Sequence, residues 1–117
     1  TGYEAAEKYY RLPNMPNAVF AANDVIAAGF MKYMINRKVR IPEDIGVVGF
    51  DNIQLANIYE PGITTISIPV KEMCREAVRL LINMIEKKTK KKHTMVFKNE
   101  LVVRRSTDSS AAIEYEM

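Results

Sequence analysis

The stretch that decides the fold of this chain is Ile41-Pro42-Glu43-Asp44-Ile45-Gly46-Val47-Val48-Gly49-Phe50-Asp51. A proline-containing loop leads into an apolar run that carries no charge until Asp51. Such a run is typical of a strand buried on both faces in a parallel sheet. Ligands of open α/β sheets bind at the carboxyl ends of the strands. The pattern therefore predicts that Asp51 lies where a ligand would bind.

A second junction between an apolar run and polar residues lies upstream. The run from Ala18 to Ala22 is predicted to be another buried strand; it ends at Asn23 and Asp24 and is followed directly by an amphipathic segment that reaches about Lys38. Apolar residues recur there at intervals of three and four, which predicts a helix. Asn23 or Asp24 is expected to cap that helix, because Asn and Asp side chains accept hydrogen bonds from free amides at helix starts.

The remaining elements continue this alternation of strands and helices. They are a helix from Gly2 to Leu12, a short helix capped by Asp51 and ending near Ile58, a strand from Ile63 to Ile68, a helix from about Val70 to Lys87, and strands at Met95 to Phe97 and Leu101 to Arg104. The pattern predicts an α/β fold with a mainly parallel sheet flanked by helices. Residues 108–117 lack a clear period and are predicted to be a tail.

Composition narrows the class of protein. The chain has 117 residues, of which 48% are hydrophobic, and a formal net charge of +3, which suits one globular domain. The basic run from Lys87 to Lys92 is either a solvated loop or a contact for an acidic partner. The single cysteine, Cys74, cannot form an internal disulfide, which fits a reducing compartment, and it is interpreted as a packing residue. No apolar run is long enough to span a membrane.

Signatures of enzymes and metal sites are missing from the sequence. The single histidine, His93, excludes multi-histidine zinc patterns. The glycines at 46 and 49 lie within a predicted strand and form no phosphate loop. Ser67 and Ser106 lack the context of a catalytic nucleophile. We therefore predict no enzyme activity, no cofactor and no metal.

Four segments carry a resemblance to a known family. They are Ala21–Asp24, Ile41–Asp51, Thr64–Ile66 and Leu101–Thr107. In this order and spacing they closely resemble the carboxy-terminal third of the lactose-repressor/galactose-repressor (LacI/GalR) family of bacterial transcription regulators, and the resemblance extends from about Gly2 to Thr107. It implies part of a periplasmic-binding-protein-like fold with two lobes, between which the chain crosses three times.

The resemblance also implies a division of the chain. Residues of about 1–66 and 98–107 would belong to the carboxy-terminal lobe, and residues of about 67–97 to the amino-terminal lobe. The chain would then be a fragment that lacks the DNA-binding helix-turn-helix. One departure is Lys38, which occupies the position where the family usually has a glycine to end the helix.

The family's effector-binding positions map onto two residues of this chain. Asp51 and Asn23 match positions that hydrogen-bond an effector, and Phe20 is a candidate to stack on its ring. A carboxylate can accept from two sugar hydroxyls or nucleobase N–H groups, and an amide can donate and accept. Alternatively, Asp51 and Asn23 only cap the following helices, and Phe20 belongs to the core.

The resemblance further implies a homodimer. The matching interface positions lie on the helix after Asn23 and on the segment after Asp51: Ala28, Met31, Lys32, Leu55, Ile58 and Tyr59. The alternative for Met31, Leu55 and Ile58 is the intramolecular core. A two-fold protein suits two-fold operator DNA.

These observations predict a fragment of a cytoplasmic transcription regulator that senses a small-molecule effector, such as a sugar or related metabolite. Operator DNA would be bound only through the missing amino-terminal headpiece. The alternative is a periplasmic sugar-binding protein of a transport system, because the fold alone does not decide between the two.

Overall fold

The structure is a computed structural model that describes residues 1–113. Its helices are α1 (Gly2–Tyr10), α2 (Asp24–Asn36), α3 (Gln54–Ile58) and α4 (Val70–Glu86), and its strands are β1 (Ala18–Phe20), β2 (Gly46–Val48), β3 (Thr65–Ser67) and β4 (Glu100–Val102). The predicted α/β class is confirmed. The chain divides into two compact units, residues 68–100 and the remainder.

Strand β2 lies at the centre of the parallel sheet in the first unit. It pairs in parallel with β1, with Phe20 opposite Val48. On its other edge, parallel bridges join Val48 to Thr64 and Asp51 to Ser67, which brings in β3. β3 in turn neighbours β4. The three parallel strands therefore end at the same edge of the sheet.

Helices α1 and α2 pack against each other beside this sheet. Thr1 and Glu4 form a capping box at the start of α1, as the Thr-x-x-Glu pattern predicts. The helices approach so closely at Gly2 that a Cβ there would overlap the carbonyl oxygen of Ile26. The buried core combines residues of both helices and the sheet: Ala6, Ala21, Ala27, Ala28, Phe30, Met31, Tyr33, Met34, Ile45, Val47, Ala56 and Ile63.

Several predicted elements differ in the structure. β1 ends at Phe20, and both Ala18 and Phe20 are exposed, so burial of this strand on both faces was wrong. Residues 95–97 form no strand. Asp51 does not cap α3, whose N-cap is Ile53, because two residues with positive φ, Asp51 and Asn52, separate the strand from the helix.

The second unit, residues 68–100, contains α4. Helix α4 forms where the sequence predicts a helix, and it carries apolar residues along one side, but none of its residues is buried. Cys74 is exposed, so its interpretation as a packing residue is not met here. The run from Lys87 to Lys92 is mostly exposed, as the solvated-loop interpretation predicts. No helix among residues 1–113 is long and apolar enough to cross a membrane.

Candidate ligand-binding site

The candidate site lies at the carboxyl ends of β1, β2 and β3. Phe20 is the last residue of β1, Asp51 follows β2, and Ser67 ends β3. The amide of Asp51 donates to the carbonyl of Ile66 at 3.0 Å, which holds Asp51 beside β3. The topology thus brings two of the predicted effector residues to the same edge of the parallel sheet, the edge at which open α/β folds bind ligands.

The ring of Phe20 is available for stacking. Phe20 is 65% exposed, although it sits at the end of a paired strand. The next residue, Ala21, is buried and its amide donates to the carbonyl of Val48 at 2.8 Å, so the backbone beneath the ring is fixed. The core interpretation of Phe20 is therefore wrong for the described residues, and an aromatic face is presented near the strand ends.

Asp51 has an unusual backbone and an available carboxylate. Its φ is 100° and that of Asn52 is 55°, in a region that L-residues rarely adopt but that Asp and Asn tolerate best. Asp51 is half-buried. Within residues 1–113 its carboxylate makes no hydrogen bond or ion pair. Its acceptor oxygens are therefore not used by another described residue and can accept from a ligand.

Asn23 caps α2, as one of the two sequence interpretations predicts. Its Oδ1 accepts a hydrogen bond of 2.9 Å from the amide of Ile26. The side-chain amide nitrogen makes no hydrogen bond with any residue that the structure describes. One end of the side chain thus serves the helix, and the other keeps two donors for a ligand.

Asp24 is a buried structural carboxylate and not the N-cap of α2, so the alternative that Asp24 caps this helix is wrong. It is the first residue of α2 and is completely buried. Its Oδ1 accepts from the hydroxyl of Thr65 at 2.6 Å and its Oδ2 from the amide of Ile53 at 2.8 Å. Asp24 therefore fastens α2 to β3 and to the loop after β2, directly beneath the candidate site.

Asn52 and Arg104 form a second connection that the sequence did not reveal. The buried Arg104 donates from Nη2 to Oδ1 of Asn52 and from Nη1 to the carbonyl of Ile63, both at 3.0 Å. The Nδ2 of Asn52 donates to the hydroxyl of Ser67 at 3.3 Å. Arg104, in the segment Leu101–Thr107, thus helps to hold the loop that carries Asp51.

Ser106 fastens the returning chain to the sheet. Its fully buried hydroxyl donates to the carbonyl of Val47 at 2.5 Å and accepts from the amide of Thr64 at 2.8 Å. The hydroxyl of Thr64 in turn donates to the carbonyl of Arg104 at 2.9 Å. These bonds satisfy buried polar groups between β2 and β3, which would otherwise cost free energy.

The predicted dimer-interface residues fall into two groups. Met31 lies in the core with no exposed surface, as its intramolecular interpretation predicts, and Ala28 is also buried in the core. Lys32 and Ile58 are exposed, and Leu55 and Tyr59 are partly buried. The hydroxyl of Tyr59 donates to the carbonyl of Ala28 at 3.0 Å, and burial raises the pKa of this phenol.

Two depressions and a histidine elsewhere among residues 1–113 are alternative candidates for a site. Two shallow depressions lie away from the strand ends; one is lined by Asn57, Gly62 and Arg104, and the other by Pro42, Glu60 and Arg105. His93 is exposed. Residues 1–113 contain no cluster of three or more side chains that could hold a metal ion.

Comparison with known proteins identifies the family. Residues 1–107 match the family described as the periplasmic binding protein-like domain. The chain belongs to this family. Among relatives, the HTH-type transcriptional repressor PurR of Vibrio vulnificus (strain CMCP6) is 39% identical over 104 residues, which are 89% of this chain and 31% of the relative. PurR of Pasteurella multocida (strain Pm70) is 36% identical over 108 residues, which are 92% of this chain and 32% of the relative.

Solved structures agree with this membership. The transcriptional regulator CelR–cellobiose complex superimposes with a TM-score of 0.83 at 34% identity and covers 90% of this chain and 32% of that one. A LacI-family transcriptional regulator from Arthrobacter sp. FB24 in complex with lactose superimposes with a TM-score of 0.81 at 31% identity. The match covers 92% of this chain and 40% of that one. The predicted LacI-family resemblance is confirmed, and the chain spans about a third of the length of its PurR relatives.

Proposed function

We propose that this chain is the effector-binding part of a cytoplasmic transcription regulator, and that the strand-end site binds a ring-shaped polar effector. The observation that carries the proposal is that an exposed aromatic ring, Phe20, and a carboxylate with no hydrogen bond among residues 1–113, Asp51, lie at the same edge of the parallel sheet. The relatives are transcriptional repressors, and two structural neighbours hold cellobiose and lactose.

The chemistry of the site favours a sugar or a molecule of similar shape. Two vicinal hydroxyls can donate to the two oxygens of Asp51, while the free amide nitrogen of Asn23 donates to a third oxygen. The face of Phe20 covers the apolar side of the ring, which excludes water and strengthens the polar contacts. A nucleobase offers comparable N–H donors and a flat face, so both classes belong in the test.

In this proposal, effector binding is coupled to DNA binding by a two-state mechanism. The effector favours one arrangement of the two lobes of the complete protein, and that preference changes operator affinity through a DNA-binding headpiece outside this chain. Only a difference in effector affinity between the two states can transmit the signal.

The complete gene product tests this function. Its affinity for cellobiose, lactose and adenine is measured by calorimetry, and its operator binding is measured with and without each probe. We expect one probe to bind, and Asp51→Asn to weaken it at least tenfold without changing operator binding in its absence. Asn retains the size and the tolerance of positive φ, so the variant replaces the charge and one acceptor oxygen while keeping the shape of the side chain. Glu43→Gln, an exposed carboxylate before β2, is the matched control.

Three outcomes contradict the proposal. One is that no probe binds. Another is that Asp51→Asn and Glu43→Gln have equal effects on affinity. A third is that Asp51→Asn prevents folding, which would assign this carboxylate a structural role.

We further propose that the regulator is a homodimer and that Lys32, Leu55, Ile58 and Tyr59 contact the second copy. Support comes from Ile58, an apolar side chain that is 55% exposed on a five-residue helix. In sedimentation experiments on the complete protein, Ile58→Asp should lower the fraction of dimer, whereas Leu12→Asp, at an exposed apolar residue that follows α1, should not. An unchanged dimer fraction in Ile58→Asp would remove this face from the interface.

A further inference from the structure

Asn52 occupies a position from which it can control the geometry of Asp51. It follows Asp51 directly, and both residues have positive φ. Its amide donates to the hydroxyl of Thr65 at 3.3 Å, so the backbone of the loop is held against β3. A backbone conformation that L-residues rarely adopt persists only where its surroundings determine it strongly.

The side chain of Asn52 supplies two of these determining bonds. Arginine can only donate, so the oxygen of the Asn52 amide must face Arg104 and its nitrogen must face Ser67, whose hydroxyl can accept. Both functional ends of the amide are thereby used inside the protein. Asn52 is therefore not placed to contact a ligand itself, in contrast to the neighbouring carboxylate.

The two partners of Asn52 lie on the segments by which the chain leaves and re-enters the first unit. Ser67 is the last residue of that unit before residues 68–100, and Arg104 lies three residues after the chain returns at Leu101. One amide side chain thus links the exit segment, the return segment and the loop that carries Asp51. The three segments therefore share one connected set of hydrogen bonds.

We propose that Asn52 is a positioning residue for the effector: it holds the Asp51 carboxylate in the orientation that the ligand requires, through Ser67 and Arg104. This inference rests on the proposed function. It predicts that loss of the Asn52 side chain weakens ligand binding even when the backbone conformation and the fold are retained.

The test uses Asn52→Gly, Ser67→Ala and the double variant in the complete protein, with the probe from cellobiose, lactose and adenine that the wild-type protein binds. Glycine adopts positive φ readily, so the first variant removes the side chain and still permits the same backbone conformation, and its added backbone freedom is matched by the Lys38→Gly control. We expect about a tenfold loss of affinity for Asn52→Gly and a smaller loss for Ser67→Ala. The double variant should bind no more weakly than Asn52→Gly, because both changes break the same bond.

Lys38→Gly is the matched control, since it also places glycine at a residue with positive φ, at the end of α2. It should change thermal stability without changing affinity. If Asn52→Gly lowers the melting temperature but leaves affinity unchanged, the inference is overturned while the proposed function stands. If wild-type protein binds no probe, or Asp51→Asn binds as well as wild type, the proposed function fails and the inference fails with it.

Discussion

The hydroxyl of Thr65 donates a 2.6 Å hydrogen bond to the carboxylate of Asp24, and both side chains are completely buried. This contact joins the first residue of α2 to the first residue of β3, which are 41 positions apart in the sequence. A buried carboxylate is tolerated only when its oxygens are hydrogen-bonded, and here the second oxygen accepts from the amide of Ile53. The framework beneath the candidate site therefore depends on a polar bond rather than on apolar packing alone.

Thr65→Val should destabilise the protein by about 1–3 kcal/mol, because valine keeps the shape of threonine but leaves Oδ1 of Asp24 without its donor and the amide of Asn52 without its acceptor. Thr65→Ser is the matched control, since serine keeps the hydroxyl and loses only a methyl group. Urea unfolding followed by circular dichroism measures both variants. Equal losses in the two variants would show that the methyl group, and not the hydrogen bond, stabilises this contact.

Gly49→Ala should also be strongly destabilising. A Cβ at this position would overlap the carboxylate of Asp24, whose burial leaves it no room to move. Overpacking of this kind typically costs about 1–3 kcal/mol, and the loss of the Asp24 bonds would add to it. Unfolding in urea gives the free energy difference.

Gly46→Ala, in the same strand region, is the control for Gly49→Ala. There the nearest atom to a new Cβ is the carbonyl oxygen of Ser106 at 3.8 Å, which is an ordinary contact. We expect it to change stability by less than about 1 kcal/mol. If both alanine variants unfold alike, steric conflict with Asp24 is not the cause.

The sequence predicted those features of the fold that depend on residues close together in the chain. The apolar run before Asp51 forms β2, and Asn23 caps α2, because strand burial and helix capping depend on neighbouring residues. Exposure of Phe20 was not predicted, since it depends on which other segments cover β1. The bond between Arg104 and Asn52 spans 52 positions and leaves no periodic signal in the sequence. The same holds for the contact of Asp24 with Thr65.

The loop before β2 should make stability depend on acid pH. Hydrogen bonds from the side chain and then from the backbone amide of Arg40 lower the pKa of Asp44. A carboxylate whose pKa is lower in the folded state contributes stability above its unfolded pKa, and this contribution is lost as pH falls through about 4. Asp44→Asn should therefore be less stable than wild type at pH 6, with the gap closing toward pH 3.

Salt and a neighbouring residue provide the controls for Asp44. The pair is exposed, so its contribution should shrink at 1 M salt. Glu43→Gln, the adjacent exposed carboxylate, should show a smaller change between pH 6 and pH 3. A gap between Asp44→Asn and wild type that stays constant over this pH range would mean that the charge of Asp44 is not what stabilises the loop.

Lys38→Gly should stabilise the protein by about 0.5–1 kcal/mol. Lys38 has a φ of 61° at the end of α2, where its amide donates to the carbonyl of Ile35 and that of Val39 donates to Met34. This pattern of two bonds is the helix ending that glycine favours, because a Cβ is crowded in the left-handed region. The same substitution at Lys32, in the middle of α2, should instead cost about 1 kcal/mol, because glycine lowers helix propensity. Urea unfolding of the two variants should therefore give shifts of opposite sign, and a loss of stability in both would mean that the positive φ of Lys38 carries no strain.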